Sequence, residues 1–460
     1  MDEHEDRIES RRMGTMPEGK LLLHMAVPIM LSMLVQALYN IVDSIYVSQV
    51  SEDCLTALSL AFPAQNVMIG LGTGTGVGVS ALVSRALGAG EGKLAKRVAG
   101  NAFFLCFVCW GVMALLGITC TEAFIHSQVP DPTIRAYGDS YLRIVTIGSL
   151  FLYFEICLER LLQSTGLTKL SMWTQMIGAV SNIILDPFFI YGWCGLPAMG
   201  TSGAAIATVI GQAIGAACGM VFHLRRNREL QVTAADMKPS GKLIGEVYRI
   251  GFPSILMMCT GSLTNYLMNR ILIAFTSTAV AVYGAYFKIQ SFFFMPVLGI
   301  NNGIIPIIGY NFGARKKERI YRTFRLAVCF ALGIMLLGTL SFEFIPRVLL
   351  GAFHPSEALL AIGVPALRTI GIHFPVAAFC IVAGGVCQAL GKSMFSLITS
   401  ILRQLVGLVP AAYLLSLGGN VDAIWWCFPI AEAISACANI FFIRMAFKGM
   451  ERRMELGKLI

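Results

Sequence analysis

Charge is scarce in this sequence. Asp, Glu, Lys and Arg make up only 13% of 460 residues, against about 25% in a soluble domain. Apolar residues reach 56% and the mean hydropathy is +0.71, which excludes an ordinary soluble enzyme or binding domain. Alternating apolar and polar positions are also missing. That excludes a membrane β-barrel, whose strands span in about 10 residues. The first twenty residues, MDEHEDRIESRRMGTMPEGK, have neither an apolar core nor a small-residue cleavage site, so no signal peptide is expected. The 13 cysteines are scattered. One C-x-x-C pair, Cys106 and Cys109, has no second pair and no nearby histidine, so small buried side chains are expected rather than a metal or redox centre. The glycine ladder LGTGTGVG (71–78) lacks the G-K-[ST] ending and the preceding strand of a phosphate loop. Its glycines read as close-packing positions in a membrane helix. No nucleophile with its base and no G-x-G-D signature appears, so neither an intramembrane enzyme nor a cofactor is expected.

Long apolar runs are what the chain does contain. Each is near the roughly 20 residues that cross a bilayer. They predict an all-α integral membrane protein with twelve spans, at 21–48, 55–80, 95–119, 136–161, 170–191, 200–222, 243–275, 280–307, 318–345, 358–388, 393–417 and 421–447. Residues 1–20 form an amino-terminal segment, 21–222 a first lobe, 223–242 a linker, 243–447 a second lobe and 448–460 a tail. Basic residues cluster in alternate links: Arg85, Lys93, Lys96 and Arg97; then Arg225, Arg226, Arg228, Lys238 and Lys242; then Arg315, Lys316, Lys317 and Arg319. The intervening links, such as VSEDC (50–54) and SLGGN (416–420), are nearly bare. The positive-inside rule therefore places both termini in the cytoplasm. The net charge of +9 is split among short links, which argues against nucleic-acid binding.

The chain repeats itself. Pro253 lies 225 positions after Pro28, and the same offset joins Asn40 to Asn265, Gln65 to Gln290, Gly74 to Gly299, Gly78 to Gly303 and Arg97 to Arg322. It still holds from Gln163 to Gln388 and from Gly166 to Gly391. An even number of crossings per repeat makes the two halves parallel, related by an axis along the membrane normal. Two pseudo-symmetric six-helix lobes with a cavity between them follow. Lys288, Gln65, Gln290 and Met257 are candidates to line that cavity.

One stretch, NIILDPFFIYG (182–192), puts a carboxylate in an oily run. A charge at mid-membrane costs at least roughly 2.5–3.5 kcal/mol and is usually kept for ion or proton work. Helix 5 runs outward, so Asp186 lies roughly 9 Å inside its outer end near Gly192; Asp43 lies about 10 Å inside the end of helix 1; Thr208 lies about 12 Å into helix 6. Asn182 is one turn before Asp186, and Tyr39 and Asn40 are about one turn before Asp43. Pro187 frees a backbone carbonyl that can line a polar pocket. This oxygen-rich set could share one proton between its carboxylates or hold a sodium ion, which takes hard oxygen ligands. The plainer alternative is that both acids bond neighbouring helices or reach water, and a salt bridge from Arg143 would favour it. The acid is not repeated in the second lobe, where the offset maps Asp43 onto Met268 and the deep charges are Lys288, Arg403 and Glu432.

Six stretches resemble the multidrug and toxic compound extrusion (MATE) transporters: YNIVDSIYVS (39–48), LVSRALGAGEGKLAKRVAGN (82–101), LLQSTGLTKLSMW (161–173), SNIILDPFFIYG (181–192), MGTSGAAIATVIGQ (199–212) and IIPIIGYNFGARKKER (304–319). They spread over both halves. The resemblance implies a two-lobed antiporter in the plasma membrane that exports bulky, often cationic or amphipathic compounds in exchange for protons or sodium. One subgroup carries its cation site on helices 1, 5 and 6, where Asp43, Asn182, Asp186 and Thr208 match. Another uses an acid on helix 7, a position filled here by Gly261. Neutralising the first-lobe acids is expected to repack helix 1, bending at Pro28. A monomer is expected. The rival on the same architecture is a lipid-linked saccharide flippase, which would need a set of cations for a pyrophosphate head; Lys288 and Arg403 alone could begin one.

Overall fold

The computed structural model describes residues 10–351 and 356–457. Among them there is no strand. Twelve crossings run α1 Glu18–Ser48, α2 Glu52–Gly88, α3 Gly92–Thr119, α4 in two pieces (Pro132–Ile147 and Ser149–Ser164), α5 Thr168–Tyr191 and α6 Thr201–Arg226. The second half continues with α7 Gly241–Ile273, α8 Ser277–Gly313, α9 Lys317–Phe344, α10 in two pieces (Glu357–Gly371 and Phe374–Ala389), α11 and α12. α11 passes from Ser393–Ile401 through a π segment, Leu402–Leu408, to Val409–Ser416, and α12 joins Val421–Ile424 to Cys427–Glu455. Eight helices are each long and apolar enough to span, and the two bent pairs make ten. The more polar α5 and α7 complete the set.

The repeat read from point matches extends to the helix ends. The offset of 225 carries Ser48 to Ile273, Glu52 to Ser277, Gly88 to Gly313, Gly92 to Lys317, Thr119 to Phe344 and Tyr191 to Ser416, all of them helix termini. It also carries Gly148, where α4 bends by 48°, to His373, where α10 bends by 51°. These bends were not visible as breaks in hydropathy. Pro28 and Pro187, by contrast, lie inside continuous helices.

The lobes meet through α1 against α8, α2 against α7, and α2 against α8, a set that a two-fold axis maps onto itself. The glycine ladder serves two faces of α2. Gly72 and Gly76 lie against Tyr153 and Arg160 of their own lobe, whereas Gly74 and Gly78 lie against Gly251 and Val247 of the other. A Cβ at Gly251 would stand 2.6 Å from the carbonyl oxygen of Gly74, so the backbones touch, as small residues allow. At the end that carries the basic links, buried Arg85 donates to the carbonyl of Ala389 across the interface (2.7 Å).

The amino-terminal segment straps that same end. Met13 is fully buried, and its carbonyl accepts from Asn311 (2.9 Å). Lys316 donates to the carbonyl of Gly14 (2.6 Å), Arg319 donates to that of Met16 and pairs with Glu18 at 3.4 Å, and Ser10 bonds Glu229 (2.8 Å). Basic residues that carry the topology signal thus also bind a strap from the first lobe to the second. Arg319 is mostly buried, and hydrogen bonds to a charged group contribute about 1.5–3 kcal/mol each, net of the bonds to water they replace. Arg319→Ala is therefore expected to lower the melting temperature of the purified protein by several degrees in a thermal-shift measurement; an unchanged temperature would show that the strap adds nothing to stability.

Candidate cation-coupling site

α1 and α5 run side by side in the same direction, and polar rungs fix their register. Thr168 donates to the carbonyl of His24 (3.2 Å), Gln175 to Gln36 (3.0 Å), and the Tyr191 hydroxyl to the carbonyl of Tyr46 (2.9 Å). Between the second and third rungs lie Asp43 and Asp186. Both are buried, at 9% and 0% exposure, and each lies within electrostatic reach of the other. Asn182 stands one turn below Asp186. Its amide donates to Asp186 Oδ1 and to Thr208 Oγ1 of α6, both at 3.4 Å. These bonds are long against the usual 2.7–3.2 Å. Asp43 Oδ1, Asp186 Oδ2 and Asn182 Oδ1 are all buried without a donor. Unpartnered oxygens on Asp186, on Asn182 one turn away and on Asp43 of the adjacent helix are what a proton or a hard cation satisfies.

The remaining predicted residues fall at different distances from this core. Tyr39 is half-buried, with Asp43 and Asp186 among the charges that reach its hydroxyl. Asn40 is exposed. Gln65 donates to the hydroxyl of Tyr141 (2.8 Å), on the wall facing the acids. Gln290 lines a cleft within the second lobe; Met257 is not among its lining residues, and its sulfur accepts from Gln388 (3.8 Å). Lys288 is exposed and is not among the residues that line that cleft. Arg143 pairs with Asp139 one turn away at 3.3 Å, so it is not the counter-ion of either acid.

Two residues near the site were missed by the sequence reading. Tyr141 of α4 is buried beside the acids, and nothing in its local sequence marks it. Glu155 was detectable, because it interrupts the apolar run LFLYFEICL just as Asp186 interrupts its own. Its carboxylate is buried between α5 and α6, 2.8 Å from where a Cβ at Gly178 would sit. Only glycine at 178 leaves it room. Gly178, against which Glu155 of α4 packs, Asn182 and Asp186 follow one another along α5 at one-turn spacing.

Two parallel six-helix lobes around buried acids define a pseudo-symmetric membrane transporter rather than an enzyme. The chain belongs to the MatE family, whose profile matches residues 28–188 and 253–414. It is similar to the multidrug export protein MepA of Staphylococcus saprophyticus, at 25% identity over 429 residues covering 92% of this chain and 93% of the relative. MepA of Staphylococcus aureus is 24% identical over 435 residues, covering 93% and 94%. Among solved structures, a MATE transporter in complex with MaL6 superposes with a TM-score of 0.90 at 24% identity, covering 96% of this chain and 99% of the other. The outward-facing conformation of a multidrug resistance MATE family transporter superposes at 0.89 with 25% identity, covering 95% and 97%.

Proposed function

We propose that this transporter is an antiporter that exports bulky amphipathic or cationic small molecules across the plasma membrane, driven by an inward proton or sodium gradient. The observation that carries the reading is the pair Asp43 and Asp186, buried on adjacent helices with one unpartnered oxygen each and, among the described residues, no basic side chain bonded to them. The relatives named as multidrug export proteins support the class of cargo. On this reading the basic links, both termini and the strap are cytoplasmic, and the closely packed lobe ends face the cytoplasm, so the conformation described is outward-open. A cation neutralises the acid pair from outside, α1 repacks against α5, and the cargo site loses affinity and empties outward. Coupling needs only that cation and cargo prefer different states. The chain works as a monomer. A flippase reading is less well supported, because a pyrophosphate head needs a set of cations, and among the described residues Arg403 is the only lysine or arginine lining the second-lobe cleft, with the Glu432 carboxylate beside it.

Dye efflux from vesicles under separately imposed pH and sodium gradients tests this. One of the two gradients should accelerate efflux, and abolishing it with the matching ionophore should return efflux to the leak. Efflux indifferent to both would remove cation coupling.

A further inference from the structure

The second lobe contains a polar cleft that the first-lobe mechanism does not use. Its empty space, open side included, is about 690 Å³, within the ~300–1,000 Å³ of small-molecule sites. Arg403 and Gln404 enter it from the π segment of α11, Glu432 from α12 and His373 from the bend of α10. π segments inside α-helices often mark functional positions. The aromatic wall is ordered: Tyr286 meets Phe428 at 5.3 Å, and His373 stacks on Phe428 at 5.7 Å.

Pseudo-symmetry shows how this lobe has diverged. At an offset of 225, Arg403, Glu432 and His373 correspond to Gly178, Ala207 and Gly148 of the first lobe, while Asp43 and Asp186 correspond to Met268 and Ala411. The first lobe concentrates negative charge, whereas the second balances one cation against one anion. The balance is loose. Arg403 Nη1 stands 3.7 Å from Glu432 Oε2, longer than the roughly 2.7–2.9 Å of a well-made charge-assisted bond. Among the described residues Glu432 Oε1 is buried without a hydrogen-bond donor, although the residue is only 3% exposed and the Cys380 thiol lies beside its carboxylate.

We propose that this cleft is a cargo site selective for zwitterionic aromatic compounds. A ligand carboxylate takes the Arg403 guanidinium, the ligand cation takes Glu432, and the ring system lies on the Tyr286–Phe428 wall. The exchange leaves no charge unpaired. A purely cationic ligand of the same shape must draw Glu432 away from Arg403 and strand the guanidinium, and a purely anionic one strands the carboxylate. Stranding one member of a buried pair is what makes such sites discriminate. The inference rests on the export reading for the word cargo, but its test is equilibrium binding with no gradient, so the two fail separately.

The probes are rhodamine 110, with a free carboxylate beside its xanthene cation, and rhodamine 123, its methyl ester. Anisotropy titrations on the full chain in lipid nanodiscs should give roughly tenfold tighter binding of rhodamine 110, the factor of about one hydrogen bond to a charged group. Arg403→Gln should abolish or reverse that preference, and Arg403→Lys should keep most of it, which separates charge selection from folding. Glu432→Gln should weaken both dyes through the cation they share. Equal affinities in the unaltered chain, or a preference that survives Arg403→Gln, would overturn the assignment.

Discussion

Asp186→Asn, and separately Asp43→Asn, should each yield a folded transporter that no longer exports under a cation gradient. Asparagine keeps the shape of the protonated acid and removes the charge on which coupling acts. Moving a two-state equilibrium from 1:99 to 99:1 takes about 5.5 kcal/mol of differential binding, and a neutral side chain offers a cation little of it. Efflux in vesicles should fall to the leak rate at any imposed gradient. Stability should hold or rise, because a carboxylate deep in the membrane costs at least roughly 2.5–3.5 kcal/mol on the insertion scale and, among the described residues, neither acid has a salt bridge to lose. The pairing of lost transport with an unchanged or higher melting temperature distinguishes this from simple unfolding. Full gradient-driven export by both variants would take Asp43 and Asp186 out of the mechanism.

How far the sequence carried differs between fold and site. The twelve crossings were legible because apolar runs must be long, and the repeat was legible because one ungapped offset joined Pro28 to Pro253 and Gly166 to Gly391. The bends at Gly148 and His373 were not, since neither breaks the apolar run. Depth arithmetic brought Asp43, Asp186 and Thr208 to one level without saying that α1 and α5 touch; the rungs His24–Thr168 and Gln36–Gln175 settle that, and they join polar residues far apart in the chain. Glu155 obeys the rule applied to Asp186, but it sits on the fourth crossing, and only the packing of α4 against α5 and α6 brings it to Gly178. Lys288, Arg403 and Glu432 were all legible as deep charges, and of the three it is Arg403 and Glu432 that meet in the second-lobe cleft. Pairing of that kind depends on the π segment, which no periodicity announced.

Gly78→Val should be among the most damaging changes at the lobe interface. A Cβ at Gly78 would fall on the carbonyl oxygen of Val247, a backbone atom that cannot rotate away. The lobes must then separate at a point where their backbones touch. Overpacking a well-filled core costs about 1–3 kcal/mol and sometimes more. The expected result is a large drop in folded yield and melting temperature, and in the surviving protein a faster disulfide cross-link between cysteines placed to trap the separated lobes. Glycines elsewhere set the scale. At the symmetry mate Gly303 the nearest atom to an added Cβ is Ala26 at 3.3 Å, so Gly303→Ala should cost less. At Gly111 nothing lies within 4 Å, and Gly111→Ala should be silent or slightly stabilising, as alanine is the better helix former. A graded series in that order ties the ladder to inter-lobe contact. If Gly78→Val folds and transports like Gly111→Ala, the lobes do not meet at Val247 in the working protein, and the closed end must be formed by other contacts such as Arg85 with Ala389.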